Sequence, residues 1–139
     1  MRQIWTDSAT RVDIPTRFGI VPVVVAARTT TPRGTVLLAH GRNGAPDQAQ
    51  IAEIAEAYLA RDWRVAAPEL PNSIALPNSG PPEEVTFSRH AQATAEVWGW
   101  LVRQWPDTPQ ALAGHSIGAF AIAQLAGAAP EAHHLLAVS

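Results

Sequence analysis

The chain has no cysteine and no lysine among its 139 residues. Without cysteine there can be no disulfide staple, no thiolate nucleophile and no cysteine-bound zinc or iron–sulfur centre. Without lysine there is no P-loop, which needs that ammonium on its phosphates. All ten basic residues are arginines scattered along the chain, and the net charge is −2. No basic patch invites nucleic acid or an acidic membrane surface, so neither is expected as a partner. No apolar run approaches the roughly 18–20 residues that a membrane span requires. The first residues, Met1 to Asp7, carry an early charge and no apolar stretch of the kind a signal peptide needs. The expectation is a cytoplasmic protein with no membrane partner.

What is present fits one globular domain spanning 1–139, with 47% apolar and only 16% charged residues. Arg11–Pro15 and Ile20–Ala27 read as two lead strands around a turn at Arg17-Phe18-Gly19. After a polar turn at Thr29–Gly34, Thr35–Ala39 is a continuous apolar run, the signature of a central strand buried on both faces. Asp47–Arg61 places Ile51, Ile54, Tyr58 and Leu59 on one helical stripe. Trp63–Ala67 reads as a strand stopped by Pro68, and Glu69–Phe87 as a long loop with four prolines, among them Pro77. Ser88 is placed to cap a helix running to Gln104. Gln110–Ala113 is a short strand, Ile117–Gly127 a helix, and Leu135–Val138 a last strand. Strands alternating with helices predict an α/β fold of three layers, a mostly parallel sheet with helices on both faces and right-handed crossovers.

The chemistry-bearing pattern is Gly114-His115-Ser116-Ile117-Gly118, which matches the nucleophile elbow G-x-S-x-G. Each residue type has a mechanical reason. The serine must sit on a sharp, strained strand-to-helix turn, and side chains on the flanking glycines would collide with neighbouring backbone. The turn lifts the Ser116 hydroxyl to a helix N-terminus, where partial positive charge favours a developing oxyanion. The bare pattern is short; its position between a strand (Gln110–Ala113) and a helix gives it weight.

A second segment, His40-Gly41-Arg42-Asn43-Gly44, follows the buried strand. Taken with the elbow and in this order, it makes the chain resemble the α/β-hydrolase family over nearly its whole length. The resemblance implies a serine hydrolase that forms an acyl-enzyme on Ser116. It also implies an oxyanion hole from the backbone N–H groups of Arg42, after the His-Gly step, and of Ile117, after the nucleophile. His40, Gly41, Gly114, His115 and Gly118 would support that site. The Arg42 guanidinium is otherwise a solvated side chain or a clamp for a substrate carboxylate. HGRNG and the Pro-rich loop would shape the mouth of the pocket. A serine at the elbow speaks against haloalkane dehalogenation, which takes an aspartate there in this family.

Half of the machinery has no evident source. The family's order is Ser, then Asp or Glu, then His, and after Ser116 the sequence offers only Glu131, His133 and His134. Both histidines precede the last strand and so enter at its amino end. A four-residue strand rises about 13 Å, so neither should reach a serine at the carboxyl end. His90, near the start of the helix after the long loop, is the one alternative base. His133 and His134, adjacent and diverging, do not suggest a metal, and no cofactor is expected. The sequence therefore reads as a hydrolase truncated after the strand that follows the nucleophile helix, weakly active or inactive on a small-molecule acyl substrate. A bare apolar last strand would be open to self-association. Two other readings remain: a non-catalytic binding protein on the same fold, and a half-site completed by another chain.

Overall fold

A computed structural model describes residues 4–76, 78–127 and 132–138. Glu131, one of the three candidate partners after Ser116, Pro77 of the long loop and the last residue, Ser139, lie outside them. Six strands form one sheet: β1 (Thr10–Thr16), β2 (Gly19–Ala26), β3 (Thr35–Ala39), β4 (Arg64–Pro68), β5 (Gln110–His115) and β6 (Leu135–Val138). Their order is β1-β2-β4-β3-β5-β6. β1 and β2 are antiparallel to their neighbours, and β4, β3, β5 and β6 are mutually parallel. Three helices connect them: α1 (Ala49–Ala60), α2 (Phe87–Gln104) and α3 (Ile117–Ala126). The result is the three-layer α/β sandwich that the strand–helix alternation predicts.

The layers follow from strand alternation. On β3, Leu37 and Ala39 face a core built with Val97, Leu101 and Ile122 from α2 and α3, while Val36 and Leu38 face Ile51, Ala55 and Leu59 from α1. A strand covered on both sides has no polar face, which is why Thr35–Ala39 reads as an unbroken apolar run. β1 differs. It forms one edge of the sheet and carries Arg11, Asp13 and Pro15, the charges and proline that keep an edge from pairing further.

Several boundaries differ from the sequence reading, each for a local reason. A short 3-10 helix at Trp5–Ser8 precedes β1 and buries Trp5, whose indole N–H donates to Pro46 O at 2.9 Å. Pro68 ends β4 from inside it, opposite Val23 on the antiparallel β2. α2 begins one residue before Ser88, because the hydroxyl of Thr86 accepts from Arg89 N–H and serves as the cap. The long loop holds a 3-10 turn at Pro82–Glu84. Among the described residues, no helix is long and apolar enough to cross a membrane.

Candidate active site

The register of two strands builds the site. Ala39 of β3 lies opposite Gly114 of β5. Two residues further along each parallel strand, at the carboxyl edge of the sheet, Gly41 therefore meets Ser116. A Cβ built on Gly41 would stand 3.1 Å from Ser116 Cβ and 3.6 Å from its Oγ. The two segments singled out from sequence thus converge on one point.

Ser116 takes φ 59°, ψ −122°, a region that L-residues rarely visit. Its surroundings over-determine that conformation. Its N–H donates to Val138 O of β6 at 2.8 Å, and its carbonyl accepts from Ala119 and Phe120 in the first turn of α3. The close approach of α3 to the sheet is possible only with glycine at both flanks. A Cβ on Gly114 would come within 2.5 Å of Gly118 O, and one on Gly118 would run into Ala39 O and approach His40 O to 2.7 Å. Ile117 opens α3, so its N–H has no partner within the helix. Residues 41–44 form a turn closed by Gly44 N–H donating to Gly41 O at 3.0 Å, with Asn43 at φ 58°. Arg42 sits at the turn's exposed corner. Among the described residues, neither the Arg42 nor the Ile117 N–H has a protein acceptor.

His40 is buried beneath this turn, and its tautomer follows from its partners. Nε2 accepts from Leu70 N–H at 2.9 Å, so the proton resides on Nδ1, which donates to Gly41 O at 2.7 Å. Burial pulls its pKa down to about 4, against the Gly41 hydrogen bond, which acts to raise it. A neutral imidazole thus ties the end of β3 to the segment after β4, and both of its nitrogens are occupied.

His90, the alternative base, packs edge-on against His40 with ring centroids 5.7 Å apart. Its Nε2 donates to His40 O at 3.0 Å, leaving Nδ1 as a buried, unpartnered acceptor. Burial lowers its pKa as well. It supports the turn from below, and the structure argues against it as the base. His133 N–H pairs with Gln110 O at the amino end of β5, and His134 Nε2 hydrogen-bonds Tyr58 OH at 2.8 Å. Both lie at the opposite end of the sheet from Ser116. His115 precedes the serine on β5 and is half-buried. Among the described residues, no histidine or carboxylate is hydrogen-bonded to Ser116 Oγ, and no group of three or more potential ligands could hold a metal.

The Pro-rich loop meets the HGRNG segment. Ser73 Oγ donates to Gly44 O at 2.6 Å and Asn43 Oδ1 accepts from Ile74 N–H, so the loop docks on the 41–44 turn. It is braced internally by Asn72 and Ser79. The cavity it lines, about 830 Å³, opens instead toward β1 and β2 and includes no residue of the elbow. The prolines marked this segment as loop, but the Asn and Ser side chains that shape it carry no periodic signal.

No protein-family profile and no curated protein matches the sequence. Solved structures do match it in fold. An α/β serine hydrolase without a lid from Xanthomonas campestris superposes with a TM-score of 0.80 at 18% identity, over 98% of this chain and 63% of that one. A cold-adapted esterase from an Arctic intertidal metagenomic library gives 0.73 at 15% identity, over 97% and 65%. The thioesterase domain from the curacin biosynthetic pathway gives 0.68 at 22% identity, over 94% and 46%. The chain has the α/β-hydrolase fold, and it spans less than two thirds of the length of these structures.

Proposed function

We propose that the chain is the nucleophile-bearing part of a serine hydrolase that cleaves esters, thioesters or related acyl bonds. The observation that carries this is the strained Ser116, set against Gly41 at the N-terminus of α3. In this reading Ser116 Oγ attacks the acyl carbonyl of a small-molecule substrate. The N–H groups of Arg42 and Ile117 receive the tetrahedral oxyanion, a contribution of about 10²–10³ in rate for each such donor. The alcohol or thiol leaves, and water then releases the acyl group from Ser116. The fold neighbours include an esterase and a thioesterase, which supports acyl transfer as the reaction class.

The serine proton needs a base, and none of the described histidines is hydrogen-bonded to Ser116 Oγ. Loss of the base costs around 10⁶-fold in a serine protease, and an oxyanion hole with binding leaves roughly 10³–10⁴ over water. The 139-residue chain alone is therefore at most weakly active. Fluorophosphonate labelling of the purified chain, with Ser116→Ala as control, is the test. Rapid labelling that the mutant loses establishes an activated Ser116 and overturns the statement on the base. A folded chain that stays unlabelled is the outcome expected of a nucleophile half-site without its base.

A second reading, completion by another chain, is favoured by β6. It forms the edge of the sheet opposite β1, with Leu135 and Leu136 each 40% exposed and no charge or proline along its length. An edge of that kind pairs readily with another strand. Labelling that appears only above a concentration at which the mass doubles would select this reading; the non-catalytic alternative predicts no labelling at any concentration.

A further inference from the structure

The two histidines before β6 do not diverge as adjacent strand residues would. Side chains alternate only where the backbone is extended, and His133 sits at a bend ahead of that stretch. The rings converge instead, with His133 Nδ1 and His134 Nδ1 2.7 Å apart. Two aromatic side chains hold them there. His134 stacks on Tyr58 of α1 with ring planes 7° apart, and its Nε2 hydrogen-bonds Tyr58 Oη at 2.8 Å. The Trp63 indole stands edge-on to both imidazoles, its centroid 5.3 Å from that of His134 and 5.7 Å from that of His133. The backbone is pinned as well. His133 N–H donates to Gln110 O at 2.7 Å, and His134 O accepts from Leu112 N–H at 3.0 Å. The contact between the two Nδ1 atoms is itself exposed, so an ion in solution can reach it.

Two neutral imidazoles joined Nδ1 to Nδ1 share one proton between two lone-pair sites. A metal ion can take that proton's place, because imidazole nitrogen is a preferred ligand of Zn2+ and Cu2+. Nitrogens bound at about 2.0–2.1 Å on neighbouring positions of one ion stand about 2.9–3.4 Å from each other. The observed 2.7 Å therefore has to open by well under an ångström. For both Nδ1 atoms to ligate, each ring carries its proton on Nε2. On His134 that Nε2–H donates to Tyr58 Oη, the outer hydrogen bond that fixes the tautomer of a ligating histidine. On the exposed His133 the proton moves through water. Among the described residues no third histidine or carboxylate joins the pair, so water fills the other positions on the ion.

We propose that His133 and His134 form a two-histidine site for a divalent transition-metal ion, Zn2+ or Cu2+, at the amino end of the sheet. The ion fastens the entry of β6 to α1 through His134 and Tyr58. At its other end β6 holds the elbow, where Val138 O accepts from Ser116 N–H. Metal binding thus steadies the strand on which the serine's backbone rests, yet it takes place away from Ser116 and does not depend on chemistry there.

Calorimetric titration of zinc, copper(II) and magnesium chlorides into the full chain at neutral pH is the test. Zinc should bind at one site per chain, copper(II) more tightly, as nitrogen ligands prefer, and magnesium, which takes oxygen ligands, not at all. His133→Asn keeps a side chain that can hydrogen-bond to His134 Nδ1 but supplies no imidazole. It should abolish the one-site zinc isotherm while leaving the circular dichroism and the metal-free thermal midpoint unchanged. Tyr58→Phe removes only the outer hydrogen bond and should weaken zinc binding about tenfold. Zinc should raise the thermal midpoint of the wild type and not that of His133→Asn. In the 15N-labelled chain, broadening by copper(II) should centre on the amides of 110–112 and 133–135. Zinc binding that survives in His133→Asn overturns the proposal. So do broadening centred elsewhere, magnesium binding as tightly as zinc, or a wild-type chain that binds none of the three.

Discussion

Gly41 lies against Ser116 so closely that a methyl group on it would stand 3.1 Å from the serine's Cβ. The contact joins two segments 75 residues apart in sequence, and it arises because β3 and β5 are parallel neighbours in register at Ala39 and Gly114. It also ranks the glycines. At Gly41 the nearest atoms, Ser116 Cβ at 3.1 Å and the backbone oxygen of His115 at 3.3 Å, need give by only a few tenths of an ångström. At Gly118 the neighbours are the backbone oxygens of Ala39 and His40, which cannot move without opening the sheet. Gly118→Ala should therefore cost at least about 3 kcal/mol or prevent folding, whereas Gly41→Ala should cost about 1 kcal/mol. Urea unfolding of the two variants checks the order, and equal costs would contradict this packing.

The backbone of Ser116 makes a separate prediction. A residue other than glycine at φ 59°, ψ −122° stores of order 1–3 kcal/mol of strain. Replacing it by glycine relieves that strain, while alanine does not. Ser116→Gly should be more stable than Ser116→Ala by about 1 kcal/mol, despite the greater chain entropy that glycine loses on folding. Thermal unfolding of the pair measures this; an alanine variant at least as stable as the glycine variant would mean the turn is not strained.

Stability should fall in mild acid because of His40. Its folded-state pKa, about 4, lies below the ordinary 6.5. Between those values the unfolded chain binds a proton that the folded chain refuses, so stability is lost as pH falls through 6.5 and the loss is complete below about 4. The difference of about 2.5 units corresponds to roughly 3 kcal/mol. His90, also lowered by burial, acts in the same direction. Glu69, whose pKa is raised by burial, acts in the opposite direction, since its folded-state carboxylate is disfavoured as pH rises above its ordinary value. Comparing urea midpoints at pH 7 and pH 5 for the wild type and for His40→Gln isolates the His40 part. A variant with the same pH slope as the wild type would refute it.

How much of this was legible in sequence depended on whether the signal was local. The apolar run Thr35–Ala39 announced a strand buried on both faces because both of its faces meet helices. The glycines around Ser116 announced a tight turn because only hydrogen fits there. The insertion of β4 between β2 and β3 was not legible, since strand order leaves no mark on periodicity. The role of His90 was hidden for a related reason: its partner is a backbone carbonyl 50 residues away, and any residue type could have supplied that oxygen. Thr86 and Ser88 are both good caps, and only the observed hydrogen bond to Arg89 N–H separates them.

The two edges of the sheet differ in chemistry, and that difference bears on assembly. β1 presents Arg11, Asp13 and Pro15, with Arg11 paired to Glu69 at 2.7 Å. β6 presents Leu-Leu-Ala-Val, parallel to β5 on one side and unpaired among the described residues on the other. Successive strand residues point to opposite faces, so Leu135 and Leu136 expose apolar surface on both sides of the sheet at that edge. Two copies pairing β6 antiparallel about a twofold axis would satisfy the outer backbone groups and cover both leucines. The mass measured by light scattering should therefore rise with protein concentration. A lysine on an edge strand opposes such pairing, because joining the edges would bring like charges together in a drying interface. Leu136→Lys should hold the chain monomeric at concentrations where the wild type associates, with little change in thermal stability because the position is already 40% exposed. Association that persists unchanged in Leu136→Lys would place the contact elsewhere, and the groove flanked by Phe87 and Phe120 is the apolar surface to mutate next.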